Sequence, residues 1–246
     1  MRRRQVFLLQ CAALSCIALA VGVPATLGQI TVTGQVSLTD RKTGKRLSDS
    51  SEVVVWLTPL SGGRGKLPSV RQPALQLVQR HKTFEPHLLV VQAGSMVQFP
   101  NDDPFFHNVF SLFEGKRFDL GLYEAGTTRS VLFDKPGICY LFCNIHPEMS
   151  AVVVVLTTPY FAVSDRAGEI GVSNILPGSY ELHVWNERSL PKDLDGLTRR
   201  LSVSESTPML EAISLSVSSK QTIAHKNKYG RDYDSATPPS ALYSQP

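Results

Sequence analysis

The sequence predicts an all-β protein, and three observations predict it. From Ile30 onward the apolar residues fall in short alternating or β-branched runs, which suit a pleated, half-buried surface. Turn signals such as Gly62-Gly63, Asp134-Lys135-Pro136-Gly137 and Pro177-Gly178 separate those runs, because their residues supply the backbone angles a tight reversal needs. No segment carries a sustained 3.6-residue apolar period, so no long helix is expected. Many short strands at this spacing make a sandwich or a barrel.

The chain has 246 residues, 42% hydrophobic and 19% charged, with a net charge of +4. That is globular usage. So small a basic excess excludes a nucleic-acid binder that relies on a basic surface. Four cysteines, at 11, 16, 139 and 143, are too few for a disulfide scaffold.

In chain order, Arg2, Arg3 and Arg4 precede an apolar stretch over 6–23 and then small residues at Ala25 and Gly28. This is the layout of a secretory signal peptide, placed at residues 1–28. An uncleaved anchor is the weaker reading: about 18 mostly apolar residues approach spanning length, but Gly22 and Pro24 lead into small residues suited to a peptidase. A lipid anchor at Cys16 is weaker still, because the apolar run continues past it. Nothing else is long and apolar enough to span a bilayer. The mature protein is therefore expected to be soluble and exported, in the periplasm if the source is bacterial. Removing residues 1–28 takes away three arginines and no acid, so the +4 becomes +1, and it removes Cys11 and Cys16.

Strands are expected at 30–38, 53–57, 74–79, 88–91, 96–99, 130–133 and 138–142, and again at 151–157, 161–164, 180–185, 200–203 and 212–217. Residues 61–73 are rich in Gly, Ser, Pro and basic side chains and read as a linker. Residues 220–246 are polar, contain proline and lack periodicity, so a flexible tail is expected there. The β region before the linker is too short to bury a core by itself. It must pack against something else.

Chemistry is concentrated in Gly137-Ile-Cys-Tyr-Leu-Phe-Cys143-Asn-Ile-His146-Pro-Glu-Met149, with Asn101-Asp-Asp-Pro-Phe-Phe-His107-Asn108 upstream. On a strand over 138–143, Cys139, Leu141 and Cys143 share one face. Cys143 then sits where the chain turns, and the three-residue spacing to His146 and Met149 lets a loop bring thiolate, imidazole and thioether to one point. A soft thiolate, two imidazoles in a plane and a long axial thioether form a ligand set suited to copper. His107, in a loop after the 96–99 strand, is the best candidate for the second imidazole.

These residues resemble the blue-copper cupredoxins, the loop length being that of the amicyanin type. More closely, about residues 84–185 resemble the exported cupredoxin-like proteins labelled methylamine-utilisation proteins, through Phe84-Glu-Pro-His, Val97-Gln-Phe-Pro-Asn-Asp-Asp, His107-Asn-Val-Phe-Ser and Cys143-Asn-Ile-His-Pro-Glu-Met. The resemblance implies a Greek-key β-sandwich in which His107, Cys143, His146 and Met149 ligate one type 1 copper ion. It further implies that the Asn108 backbone hydrogen-bonds the thiolate sulfur and that Asn101 ties the ligand loops together. The chain departs from the family pattern at Cys139, where an aromatic residue is usual. A Cys139–Cys143 disulfide is not expected, since residues four apart on one extended strand are too distant; a buried free thiol is.

Other chemistries fit less well. A lone Cys-x-x-His is unspecific, and zinc prefers a second thiolate to a thioether. A Cys/His nucleophile lacks an orienting carboxylate and an oxyanion hole nearby. Of the remaining histidines, His81 and His87 read as a surface pair at a strand edge, and no His-x-His pair occurs, so the trinuclear cluster of a multicopper oxidase cannot form. No enzyme activity is expected. One-electron transfer remains, with redox partner proteins docking through an apolar face near His107 and His146 to which Phe105, Phe106, Phe110, Phe113, Phe118 and Pro147 are candidates. A copper-storage or delivery protein is the alternative, and a surface interaction protein in which copper only stabilises the fold is a third.

A second module is also visible. Ile30-Thr-Val-Thr-Gly-Gln-Val-Ser-Leu, Thr43-Gly44-Lys-Arg-Leu and Val53-Val-Val-Trp-Leu resemble the opening of a carboxypeptidase-regulatory or transthyretin-like β-sandwich. The continuation comes only after the cupredoxin segment, as Asp165-Arg-Ala-Gly168 and Pro177-Gly-Ser-Tyr180-Glu-Leu182-His-Val-Trp185. The resulting expectation is a cupredoxin at 67–157 inserted into a small sandwich made of 29–66 and 158–219, with a tandem arrangement as the rival.

Overall fold

The structure is a computed structural model that describes residues 29–60, 75–112, 116–206, 209–218 and 225–233. The signal segment 1–28, the linker 61–73, Phe113 and the rest of the tail lie outside the described residues.

In chain order the strands are β1 (Ile30–Asp40), β2 (Val54–Pro59), β3 (Leu75–Gln76), β4 (Val78–Arg80), β5 (Thr83–Glu85), β6 (Leu88–Gln92), β7 (Ser95–Pro100), β8 (His107–Ser111) and β9 (Phe118–Tyr123). They continue with β10 (Thr128–Phe133), β11 (Gly137–Phe142), β12 (Ser150–Leu156), β13 (Phe161–Val163), β14 (Glu169–Ile175) and β15 (Gly178–Trp185), the short helix α1 (Pro191–Asp195), β16 (Arg199–Val203) and β17 (Ile213–Val217). The all-β expectation holds.

Two buried cores organise these strands. The first lies between the three-stranded sheet β14-β1-β17 and the four-stranded sheet β13-β2-β15-β16, and is filled by Val32, Val36, Leu38, Leu57, Val172, Leu182 and Leu215 among others. Every partner of β1 and β2 in these sheets comes from after residue 160: β2 pairs with β15 at Leu57–Leu182, and β1 pairs with β17 at Leu38–Leu215. Gly168 makes the turn into β14 with φ +85°, and a Cβ there would sit 2.1 Å from the Val36 carbonyl oxygen. Only glycine fits that approach.

The second core lies between the sheets β10-β7-β3 and β6-β12-β11-β8-β9, and holds Phe99, Val109, Tyr123, Phe133, Leu141, Cys143, Met149 and Val153. A smaller cluster joins the two cores, with Val54 of β2 against Val90, Val152, Val154 and Leu156. Strand β12 explains itself on this arrangement. Its Ala151, Val153 and Val155 face the second core while Val152, Val154 and Leu156 face the seam, and a strand buried on both faces needs an unbroken apolar run.

Four strands depart from the expectation. β8 is buried at every position, so it shows no alternation to detect; His107 therefore opens a strand, paired with Tyr123, instead of lying in a loop. β9 and β14 carry Asp119, Gly121, Gly171 and Asn174, which dilute the strand signal. β5 is only three residues long.

His87 directly precedes β6, the edge strand of its sheet, with its side chain 36% exposed, and it is paired there: Nε2 is 2.7 Å from Glu187 Oε2 and Nδ1 3.1 Å from the Ser150 carbonyl oxygen. Both partners only accept, so the ring satisfies both when doubly protonated. The Glu187 hydrogen bond and charge outweigh burial and hold the imidazole above its ordinary 6.5. The stabilisation it gives is therefore full below that value and is lost as the pH rises through the folded-state value. His87→Gln should flatten the fall in thermal midpoint over that interval; a variant curve parallel to wild type would refute the pairing.

Candidate metal centre

Strand pairing builds the site. β11 and β12 are antiparallel, and the pair Phe142–Ser150 leaves residues 143–149 as their connecting loop. Within it the Cys143 N–H donates to the Met149 carbonyl (3.2 Å) and the Met149 N–H to the His146 carbonyl (3.1 Å), so the loop is closed on itself. On its other edge β11 meets β8 at Phe142–Phe110. That register carries His107, three residues before Phe110, alongside the start of the loop.

His107, Cys143 and His146 come together: their ligand atoms all lie within 4.8 Å of one another, and the group could hold a metal ion. His107 Nδ1 is 3.1 Å from His146 Nδ1, and the Cys143 sulfur is 3.8 Å from the first and 3.5 Å from the second. Cys143 and His107 are wholly buried and His146 is half-buried. Met149 is wholly buried in the core that contains Cys143, and its backbone closes the loop. Phe105 stands edge-on to both imidazoles, at 5.2 and 5.7 Å.

The protonation states follow from the surroundings. His107 Nε2 is 2.8 Å from Asp103 Oδ2; a carboxylate only accepts, so Nε2 carries the proton and Nδ1 turns its lone pair toward Cys143 and His146. Burial holds the His107 imidazole below its ordinary range despite Asp103. Burial, then the neighbouring His107, lowers His146 to about 4. Burial also raises the Cys143 thiol, although backbone N–H groups of Ile145, Asn108 and His146 face its sulfur. A donor set that resists charging by protons, with two of its three members wholly buried, fits a cation that would displace the thiol proton.

Asp103 is the functional residue that sequence reasoning left unassigned. It is buried, and besides His107 it accepts from the backbone N–H groups of His81 (2.7 Å) and Lys82 (2.9 Å). These two residues form the β4–β5 turn with φ of 54° and 56°, a left-handed pair without glycine whose N–H groups converge on the carboxylate. Burial opposes ionisation of Asp103, but these hydrogen bonds together hold its carboxyl below the usual range. The available signal was the Asn-Asp-Asp-Pro run before His107.

Asn101 is wholly buried. Its Nδ2 donates to the Phe105 and Tyr123 carbonyls (2.8 and 3.3 Å), and its Oδ1 accepts from the Asp103 N–H (3.1 Å). It thus ties the 101–107 loop to the end of β9 rather than to the 143–149 loop. Asn108 turns its side chain away from the sulfur, donating to Asp119 (2.7 Å) and to the Gly121 carbonyl (2.9 Å). Cys139 and Cys143 are both free and buried, with the Cys139 sulfur 3.3 Å from Ser111 Oγ.

Solved structures give similarities over part of the chain. The purple cupredoxin from Nitrosopumilus maritimus is 23% identical over 33% of this chain and 99% of its own, with a TM-score of 0.31. A Cu(I) form of an amicyanin variant is 19% identical over 42% of this chain and 98% of its own (TM-score 0.33). The copper-containing nitrite reductase from Thermus scotoductus is 22% identical over 40% of this chain and 25% of its own (TM-score 0.33). No protein-family model and no curated protein matches the chain. These likenesses concern fold alone; the case for a metal rests on the residues. Among the described residues no helix is long and apolar enough to cross a membrane.

Proposed function

We propose that the protein is an exported type 1 copper protein that passes single electrons between redox partners, in which His107, Cys143, His146 and Met149 would hold one copper ion. One observation carries the reading: two imidazole nitrogens and one cysteine sulfur converge within 4.8 Å in a buried pocket, with the proton on His107 directed to the far nitrogen by Asp103. Copper, when bound, supplies a centre that changes oxidation state by one electron. The chain's own residues do the rest. Asp103 orients His107, the backbone N–H groups around Cys143 stabilise its thiolate, and the strands beneath both loops hold the ligands in place so that little has to move. The apolar surroundings of the sulfur keep water away and tune the potential.

We read the two cores as two domains, a cupredoxin at 67–157 inserted into a sandwich of 29–66 and 158–219, with residues 1–28 directing export. Half-buried Phe105 and exposed Pro147 flank His146, and we assign the docking of redox partners to this apolar edge.

The absorption spectrum of the copper-loaded protein tests the function. An intense visible thiolate-to-copper(II) band and reversible one-electron reduction are expected; a colourless copper complex would overturn the reading. Rapid loss of copper to a competing chelator would point instead to storage or delivery. Asp103→Asn should lower copper affinity about 10- to 100-fold by releasing the His107 ring, as read by chelator competition. Unchanged affinity would remove Asp103 from the site.

A further inference from the structure

A short piece of the C-terminal stretch, residues 225–233, lies against the 143–149 loop. The Tyr233 hydroxyl donates to the Cys143 carbonyl oxygen at 2.7 Å. The Lys228 N–H donates to Asn144 Oδ1 at 3.0 Å, and His225 Nε2 donates to the Pro147 carbonyl oxygen at 2.8 Å. The His225 ring stacks on Phe142, centroids 3.9 Å apart, and Lys228 Nζ pairs with Asp119 at 2.7 Å.

The segment is shaped by its own turn. Asn227 Oδ1 accepts from the Tyr229 and Arg231 N–H groups at 3.0 and 3.1 Å, while Tyr233 and His225 meet at 3.1 Å. Yet none of residues 225–233 is buried, and none belongs to a strand. It has no core of its own to serve. Its polar contacts outside itself fall on Cys143, Asn144 and Pro147 of the loop and on Asp119, the residue that Asn108 also holds.

We propose that residues 225–233 are a clasp on the metal-holding loop, with His225 and Tyr233 as positioning residues that act through the carbonyl groups of Pro147 and Cys143. The proposal rests on the copper reading for its consequence, which is slow release of the ion. Two backbone carbonyls, one beside the thiolate and one beside His146, are pinned by a single segment, so the spacing between the two ligands is held before any metal arrives. That is preorganisation, and it reduces the ordering that binding must supply.

The test uses the full chain and three variants, Tyr233→Phe, His225→Ala and His225→Gln, since glutamine keeps a side-chain N–H donor for the Pro147 carbonyl. In metal-free protein, amide hydrogen exchange across 143–149 should rise about five- to tenfold in Tyr233→Phe and His225→Ala, the loss expected of one hydrogen bond. Copper loss to a Cu(I) chelator should accelerate by a similar factor. The thermal midpoint should fall by no more than about 2–4 °C, the shift that the same loss implies for a chain of this size, and His225→Gln should stay close to wild type. Loop exchange that matches wild type in Tyr233→Phe and His225→Ala would overturn the clasp, as would a rise shared equally with β12. If the wild-type chain binds no copper, the functional reading fails while the metal-free exchange measurement still decides the clasp.

Discussion

Cys143→Ser is expected to abolish the visible band of the copper-loaded protein completely and to leave the fold intact. The sulfur is wholly buried, with the N–H groups of Ile145, Asn108 and His146 facing it and two imidazole nitrogens within 4 Å. Serine is nearly the same shape, so packing survives and the hydroxyl can still accept from those N–H groups. What it cannot do is lose its proton at ordinary pH or supply a soft, polarisable donor. The band arises from charge transfer out of thiolate sulfur, so no sulfur means no band. Spectrophotometry of wild type and variant at equal copper loading settles the matter. A variant that keeps the band would move the thiolate ligand away from Cys143, with the other buried thiol, Cys139, as the next to be tested.

Leu57→Ala is expected to cost about 2–5 kcal/mol, the range for removing a wholly buried leucine side chain. Leu57 is wholly buried and faces the core between the two small sheets, directly opposite Leu182 in the register of β2 and β15. The effect should therefore surface far away in the sequence. Hydrogen exchange should rise in β15, β16 and β17, and stay near wild type in β11 and the inner face of β12. Denaturant unfolding followed at both regions makes the comparison. A cost below about 1 kcal/mol, or an equal loosening of both cores, would sink the reading of two cores with separate stability.

How much of this was legible in the sequence depends on what each segment has to hide. Strands with one clear burial pattern, such as β1 with Val32, Val36 and Leu38 inward, or β15 with Tyr180, Leu182 and Val184 inward, announce themselves by alternation. β8 is buried on both faces and carries two polar residues, His107 and Asn108, that serve as donors rather than filler, so pattern reading passes over it. The spacing of Cys143, His146 and Met149 is local, and a loop of that length can be read directly. Asp103 could not be read, because its role depends on two left-handed residues from a different hairpin. The same holds for residues 225–233. Their composition is that of a tail, and only the position of the 143–149 loop makes partners of Tyr233 and His225.

The interleaving of the first core has a consequence for how the chain is made. β1 and β2 leave the ribosome before any strand that completes their sheets, since their neighbours are β13, β14, β15 and β17. At ordinary synthesis rates the delay is on the order of ten seconds, during which the apolar edges of both strands are available to any passing partner. The intervening strands β3–β12 suffer no such wait, because their sheets are drawn from within that stretch. The half of the nascent chain most in need of a chaperone is thus the one that carries none of His107, Cys143, His146 and Met149.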